Sequence, residues 1–494
     1  MKKYIFYIIL CLLVAGCNDF LDIEPREETS ITEQFSTLAG AKIALAGAYY
    51  KTEDLYSGNF YAYPDLAGGN ICFTPTQNGS NIGIISKRGQ LLNIYDFNDD
   101  AFSSDFTGFY NDSYNAINNT NNIINYADRL PDATDQQKNQ IKAEALALRG
   151  FLHFNLLQVY GQTYNFSANA THKGIVFADK ILKGGIDFPA RQNVATSYNL
   201  VVKDLQMALS LFSQTPALAG SSTSYFNVVS TKAILARVAL EKNDWQLAVS
   251  SASAVIASSG IELMSTANYI SEWEKPNLPV SEVIFELTAP KASNSDLVSS
   301  TVATYYEITF LTSGNPPVRT VSTYGNYAAS ANLINLFAAN DIRKNNFIIQ
   351  SLRVKTTNGF VNRNFYFTKK HQDNAGTLVC RLSEMYLIQA EANARMNNTA
   401  VALNALNTVR NRSNLNSLTN TVDIFEEIFL ERRREMCFET FFLYDIARIN
   451  KSVSRSDDCI SALCNLNFPN NRFVLPIPRS SINVNENMIQ NEGY

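Results

Sequence analysis

Histidine and tryptophan are almost missing: three of the first and two of the second stand among 494 residues. A metal centre built on histidine has too few ligands to draw on. Charge is sparse as well, at 17% of residues, and it does not lean basic, with a net charge of −4. No basic face for nucleic acid is expected. The chain holds no GxSxG, Walker A, GxGxxG, HExxH or EF-hand loop, so neither a catalytic motif nor a cofactor is implied. The adjacent acids Asp99-Asp100 and Glu426-Glu427 read as solvated or capping residues rather than as the acid and base of a glycosidase.

Long apolar runs are also lacking, with one exception at the start. Lys2 and Lys3 precede an apolar stretch from Tyr4 to Val14, too short to span a bilayer and shaped like a secretory signal. It ends Ala15-Gly16-Cys17, which resembles a bacterial lipobox. Residues 1–16 are expected to be removed, Cys17 to be lipidated, and 17–30 to serve as a tether. Two or more acyl chains hold a protein on a membrane without spanning it. Of seven cysteines, Cys11 leaves with the signal. Cys459 and Cys464 could close one small loop or stand as two thiols, and the sequence leaves both open.

What is abundant is helical pattern. In 381–412, Met385, Ile388, Ala392 and Met396 form one stripe of a helix. Asn397-Asn398 breaks it, and Ala402, Ala405, Leu406 and Val409 form the next. Residues 231–258 overlay this pair without a gap: Ala236 on Ala390, Ala248 on Ala402, and Asn243-Asp244 on the second break. Such pairs resemble tetratricopeptide units, which need neighbours to bury their apolar faces. A third helix is expected to open at Asp423, with Glu426 completing a capping box. Further helices are expected near 35–57, 106–128, 135–160 and 194–212. His153, among Phe151, Phe154 and Leu157, reads as a packed core residue. In Glu431-Arg432-Arg433-Arg434-Glu435 the expected pairs are Arg434 with Glu431 and Arg432 with Glu435.

Two stretches break the pattern. Residues 61–100 and 161–190 read as irregular chain. From 281 to 370 the signal turns to strands, with Asn358-Gly359 marking a hairpin. The final stretch, from Arg472, reads as extended chain over the surface of the frame. Aromatic and amide residues concentrate in two segments, 61–100 and 265–330. A flat ring suits the C–H face of a pyranose, and amides suit its hydroxyls. Tyr63, Tyr95, Trp273 and Tyr324 are the expected ligand-binding rings, each near glycine, proline or amides that would keep it from burial.

These features together resemble the SusD/RagB family, surface lipoproteins of Bacteroidetes nutrient uptake. The resemblance runs over nearly the whole chain. It is carried by Cys17-Asn-Asp-Phe-Leu21 with Pro25, by Ala143-Glu144, Arg149 and Val159-Tyr160-Gly161, and by Glu282 to Glu286. Arg381 to Ala392, Glu431, Arg432, Arg434, Glu435, Phe438, Glu439, Asp445 and Arg448 fit, as do Leu475 to Pro478 and Gly493-Tyr494. Thr440 stands where the family usually has glycine, and Phe442 where arginine is common.

The resemblance implies a mainly α fold: a tetratricopeptide-like helix-pair frame with an irregular, partly β ligand-binding region. It divides the chain into an N-terminal region, 31–230, and a C-terminal region, 231–494. It implies a non-enzymatic lipoprotein of the outer membrane that captures an oligosaccharide or a peptide. The partner would be a SusC-like TonB-dependent transporter. A structural helical scaffold and a secreted glycosidase are the competing readings.

Overall fold

Helices stack on one another in chain order to build the frame. The computed structural model describes residues 30–494 except 77–78, 88, 90, 214, 259, 275–280, 289–301, 307, 314–317, 372–375, 420–422 and 457–458. The signal, Cys17 and most of the tether lie outside the described residues. In 303–304, 308–313 and 318–324 only the backbone is described. The frame begins with α1 (Leu38–Ser57) and α2 (Asn59–Gly68), then α3 (Thr107–Ala127), α4 (Asp135–Tyr160) and α5 (Val194–Leu211). The repeat follows as α6 (Val228–Glu241) and α7 (Trp245–Ile256), and returns as α8 (Leu382–Arg395) and α9 (Thr399–Arg412). Helices α10 (Ile424–Met436) and α11 (Phe442–Arg448) close the set. Each of α3 to α7 packs on the next, α7 packs on α8, and α8 carries both α9 and α10.

The two repeat units turn by the same device. Asn243 and Asn397 both take left-handed backbone, φ 62° and 63°, a conformation asparagine tolerates better than most residues. The amide of Asp244 then reaches the carbonyl of Ala239 (2.8 Å), and that of Asn398 the carbonyl of Asn393 (2.8 Å). Each bond spans five residues and satisfies a carbonyl the helix end leaves free, as in a Schellman motif. Ala236, Ala248, Ala390 and Ala402 are fully buried, as small residues at close helix crossings should be. Ala236→Leu or Ala390→Leu is expected to cost about 1–3 kcal/mol by overpacking. Unchanged melting temperatures for both variants would mean that the helices cross elsewhere.

Other helix ends follow local chemistry. Thr134 and Gln137 form a full capping box at the start of α4. Asp423 caps α10 by accepting from the amides of Phe425 and Glu426. His153 is buried in α4; its Nδ1 donates to the Arg149 carbonyl (2.9 Å) and its Nε2 accepts from the Ala178 amide (3.0 Å). Burial holds its pKa down at about 3, so the ring is a neutral core spacer.

Among the described residues strands come only as antiparallel pairs. β1 (Ile71–Phe73) pairs with β5 (Tyr327–Ala329), and β3 (Ile308–Ser313) with β4 (Val318–Tyr324). β6 (Phe347–Thr356) and β7 (Gly359–Thr368) form the expected hairpin, with Gly359 at φ 112° just after the turn. β2 (Val283–Leu287) pairs with β8 (Thr377–Arg381). This last pair is a neck: the chain leaves the frame along β2 and returns along β8 into α8.

Three expectations fail here. Residues 59–68 are a helix, not irregular chain, although Pro64 removes one ladder donor. Phe60, Tyr61, Tyr63 and Leu66 are all buried, and that all-round packing outweighs a local breaker. Residues 303–306 form a helical turn rather than strand. The final stretch is not draped over the surface. Leu475, Ile477 and Asn491 are buried, and Asn491 Nδ2 donates to the carbonyls of Tyr160 (3.0 Å) and Leu475 (2.7 Å). Cys459 and Cys464, left open by the sequence, are bonded.

Candidate functional site

The two aromatic segments meet. Thr74, just past β1, donates its amide to the Asn326 carbonyl (3.0 Å) and its hydroxyl to that of Gly325 (2.9 Å). Gly325 is needed because a Cβ there would lie 2.4 Å from the Tyr305 carbonyl oxygen. Around this junction the rings form a continuous seam. Phe73 meets Tyr95 edge-on (5.0 Å) and Tyr327 (5.3 Å), and Tyr305 stacks on Tyr327 (6.0 Å). Tyr306 stacks on His371 (5.4 Å) and meets Phe438 edge-on (5.1 Å). Edge-to-face contacts of this kind fix ring orientation beyond what burial alone would do.

The seam is mostly closed to solvent, which corrects the expectation for three of the four named rings. Tyr63 is 1% exposed, in α2, between Phe106 and Tyr444. Tyr95 is 2% exposed; its hydroxyl accepts from the Ile460 amide (3.1 Å), and the Arg455 guanidinium lies 4.3 Å from its ring. Trp273 is 1% exposed, with Lys370 and Arg381 each 5.7 Å from its ring. A neighbouring glycine or proline says nothing about what packs on a ring from elsewhere in the chain. Tyr324 ends β4, and its side chain lies outside the described residues. The partly open ring at the junction is Tyr305, whose hydroxyl donates to Asn59 Oδ1 (3.2 Å). Asn326 is half-buried beside it. Asn59 went unremarked in the sequence because its partner lies 246 residues away.

Next to the seam sits a buried lattice of charge. Arg381, fully buried, donates to Glu282 (2.6 Å), Glu435 (2.6 Å) and Glu439 (2.9 Å), and to the Glu435 carbonyl (2.7 Å). Arg343 binds Asp341 (2.8 Å), Glu431 (2.7 Å) and Glu435 (2.9 Å). Arg412 bonds Glu282 and Glu435, and Lys370 bonds Glu439. Burial alone would raise the Glu435 carboxyl; Arg412, Arg381 and Arg343 outweigh it and hold it well below the usual range. The same balance, through Arg343 and Arg434, lowers Glu431. Arg434 pairs with Glu431 (2.7 Å) as expected. Arg432 does not pair with Glu435: it reaches forward to Asp445 (2.8 Å), because its guanidinium faces α11. Every arginine here has a carboxylate or carbonyl partner inside the protein, so the cluster is a brace and not an anion trap.

Thr440 carries the expected departure in a visible form. It sits at φ 75°, left-handed backbone that disfavours a β-branched residue. Its hydroxyl donates to the Tyr61 carbonyl (3.0 Å) and its amide to Asp65 Oδ2 (3.3 Å), which offsets the strain. Burial raises the Asp65 pKa to about 6, against a hydrogen bond from Asn70. It also raises that of Glu241, in α6, to about 7, with Arg448 opposing. A carboxyl raised on folding binds its proton more tightly in the native state, so stability falls as pH rises through these values. Melting temperature is therefore expected to drop between about pH 5 and pH 7.5. Glu241→Gln should flatten that slope; a variant with the full slope would remove Glu241 from the account.

The glycosidase reading finds no support in the named acid pairs. Asp100 accepts from the Phe102 (2.8 Å) and Ser103 (3.1 Å) amides, and Asp99 from Ser104 (2.6 Å). Glu426 pairs with Lys451 (2.7 Å). Asp100 and Glu426 make turn and surface contacts, but Asp99 is 2% exposed and so is not the solvated residue expected: the chain folds it inward against the buried Ser104. Among the described residues no group of three His, Cys, Asp or Glu is placed to hold a metal ion. No helix among them is long and apolar enough to cross a membrane.

Comparison with known proteins gives this architecture its place. A family model described as the SusD family matches residues 306–494, and one described as starch-binding associating with outer membrane matches 19–240. The chain belongs to the SusD family. The SusD fold extends over it almost end to end. A SusD superfamily protein from Bacteroides thetaiotaomicron is 25% identical, with a TM-score of 0.74 over 92% of this chain and 99% of that one. A SusD-like carbohydrate binding protein from Bacteroides vulgatus is 20% identical, with a TM-score of 0.74 over 92% and 97%. A laminarin binding SusD-like protein is 18% identical, with a TM-score of 0.70 over 92% and 99%. No curated protein matches the chain. The SusD helix-pair frame is thus established.

Proposed function

We propose that the protein is a non-catalytic lipoprotein that captures an oligosaccharide at the outer membrane and passes it to a partner TonB-dependent transporter. The carrying observation is family membership: members sharing the fold over more than nine-tenths of the chain are a carbohydrate binding and a laminarin binding protein. The family description that names the outer membrane supports the location. Ala15-Gly16-Cys17 supports a lipid anchor at Cys17.

The capture site in this reading lies on the open side of the aromatic junction. Tyr305 offers the ring and Asn59 and Asn326 offer amides, while Tyr324, the ring named from the sequence, is tested by substitution. Ring stacking on flat ligands is worth about 1–3 kcal/mol per ring. Tyr305→Ala and Tyr324→Ala are therefore expected to weaken binding of the best neutral oligosaccharide from a glycan array by about 10- to 100-fold. Calorimetry checks this, with melts alongside. Full affinity in both variants, or an array with no hit, would overturn the reading. Cys17→Ala should abolish lipid labelling and release the protein from the membrane fraction; retention of both would remove the anchor.

A further inference from the structure

A concave surface that shares no lining residue with the aromatic junction lies where the link between α5 and α6 faces strand β2. It is a cleft of about 800 Å³, within the size range of small-molecule sites. Phe226, Ile261 and Ile284 give it an apolar wall, and the half-buried ring of Tyr225 and the hydroxyl of Thr223 stand on the other side. Glu286 is the one acidic or basic side chain in the described lining. Its Oε1 accepts from the Thr223 hydroxyl (3.3 Å). Beside Oε2 the chain has Gly376, where a Cβ would lie only 2.8 Å from that oxygen; the glycine leaves it open.

This carboxylate differs from the acids of the lattice. Those have arginine or lysine within bonding distance, whereas among the described residues none pairs with Glu286. Burial raises its pKa, and Thr223 offsets only part of that. A half-buried carboxylate facing an apolar cavity gains most from a ligand that brings its own positive charge. An anionic ligand would meet repulsion with no compensating cation among the described residues of the wall.

We propose that this cleft binds an organic ammonium carried on a compact, partly apolar body, with Glu286 as its counter-ion. Two sources supply that chemistry: an amino sugar, or a lysine side chain in a short peptide. The site is independent of the oligosaccharide surface at Tyr305.

Titration calorimetry on the full soluble protein tests this with four probes. They are the glucosamine disaccharide, its N,N′-diacetyl form, the tripeptide Ala-Lys-Ala, and the same peptide with its lysine and amino terminus acetylated. At least one amine form is expected to bind, with its acetylated partner about tenfold weaker or more, as the loss of a charged hydrogen bond requires. Which amine binds identifies the source. Glu286→Gln should lose affinity to the same degree at an unchanged melting temperature, since the amide oxygen still accepts from Thr223. Tyr305→Ala should leave amine binding intact, so failure of this site and failure of the glycan surface are told apart. Equal binding of acetylated probes, full affinity in Glu286→Gln, or no binding of either amine would overturn the proposal.

Discussion

Replacing Arg381 with Met is expected to destabilise the fold by about 3–5 kcal/mol, the cost of leaving buried charges without their partner. The carboxylates of Glu282, Glu435 and Glu439, the carbonyl of Glu435 and the Ser383 hydroxyl all accept from this one side chain. Arg412 and Lys370 remain in the variant, so the lattice is weakened and not erased. The pH dependence separates this account from simple loss of packing. Glu431, Glu435 and Glu439 have folded pKa values below the ordinary 4.5. A carboxyl lowered on folding stabilises the native state above its unfolded pKa, and that contribution is lost as pH falls through the folded value. Wild-type stability should thus fall steeply below about pH 4.5. The gap between wild type and variant should narrow over the same range, because protonated carboxyls no longer need the guanidinium. Denaturant melts from neutral to acid pH measure both. A gap that stays constant with pH would assign the loss to packing.

The second large effect concerns two buried rings, Tyr63 and Trp273. Tyr63→Ala and Trp273→Ala are each expected to cost about 3–5 kcal/mol, as deletion of a large buried side chain does. Tyr63 fills the space between α2, Phe106 and Tyr444. Trp273 lies against the cations of the charge lattice, so its loss also removes an aromatic face from Arg381. Ligand affinity per folded molecule should be unchanged in both. Thermal melts and calorimetry at matched folded fraction check this. A stable Trp273→Ala protein that has lost its ligand would place the ring back in the binding surface.

The frame was legible in the sequence, and the reason is local. Alanine spacing, the asparagine breaks and the Asp423 cap act within one or two helical turns, so a short window holds the whole signal. The lattice was half legible. Arg434 with Glu431 is three residues apart on one helix, whereas Arg432 with Asp445 needs the turn between α10 and α11 to be known. The binding surface was the least legible part. Whether a tyrosine is buried depends on partners such as Phe438 for Tyr306, or Ile460 for Tyr95, which lie more than a hundred residues away. Segments 61–100 and 265–330 were named as two, and their meeting at Thr74 and Gly325 depends on partners 251 residues apart; composition also does not say which side of a ring faces water.

The neck formed by β2 and β8 has a consequence for how this chain can change over generations. Paired strands lie about 4.8 Å apart, so the chain leaves and re-enters the frame at one point. Residues can be gained or lost between 288 and 376 without moving α7 away from α8. Lengthening such a segment adds little closure entropy. The insertion can therefore lengthen or shorten while the helical repeats keep their packing, provided that Arg343 and Lys370 stay in it to hold Glu431, Glu435 and Glu439.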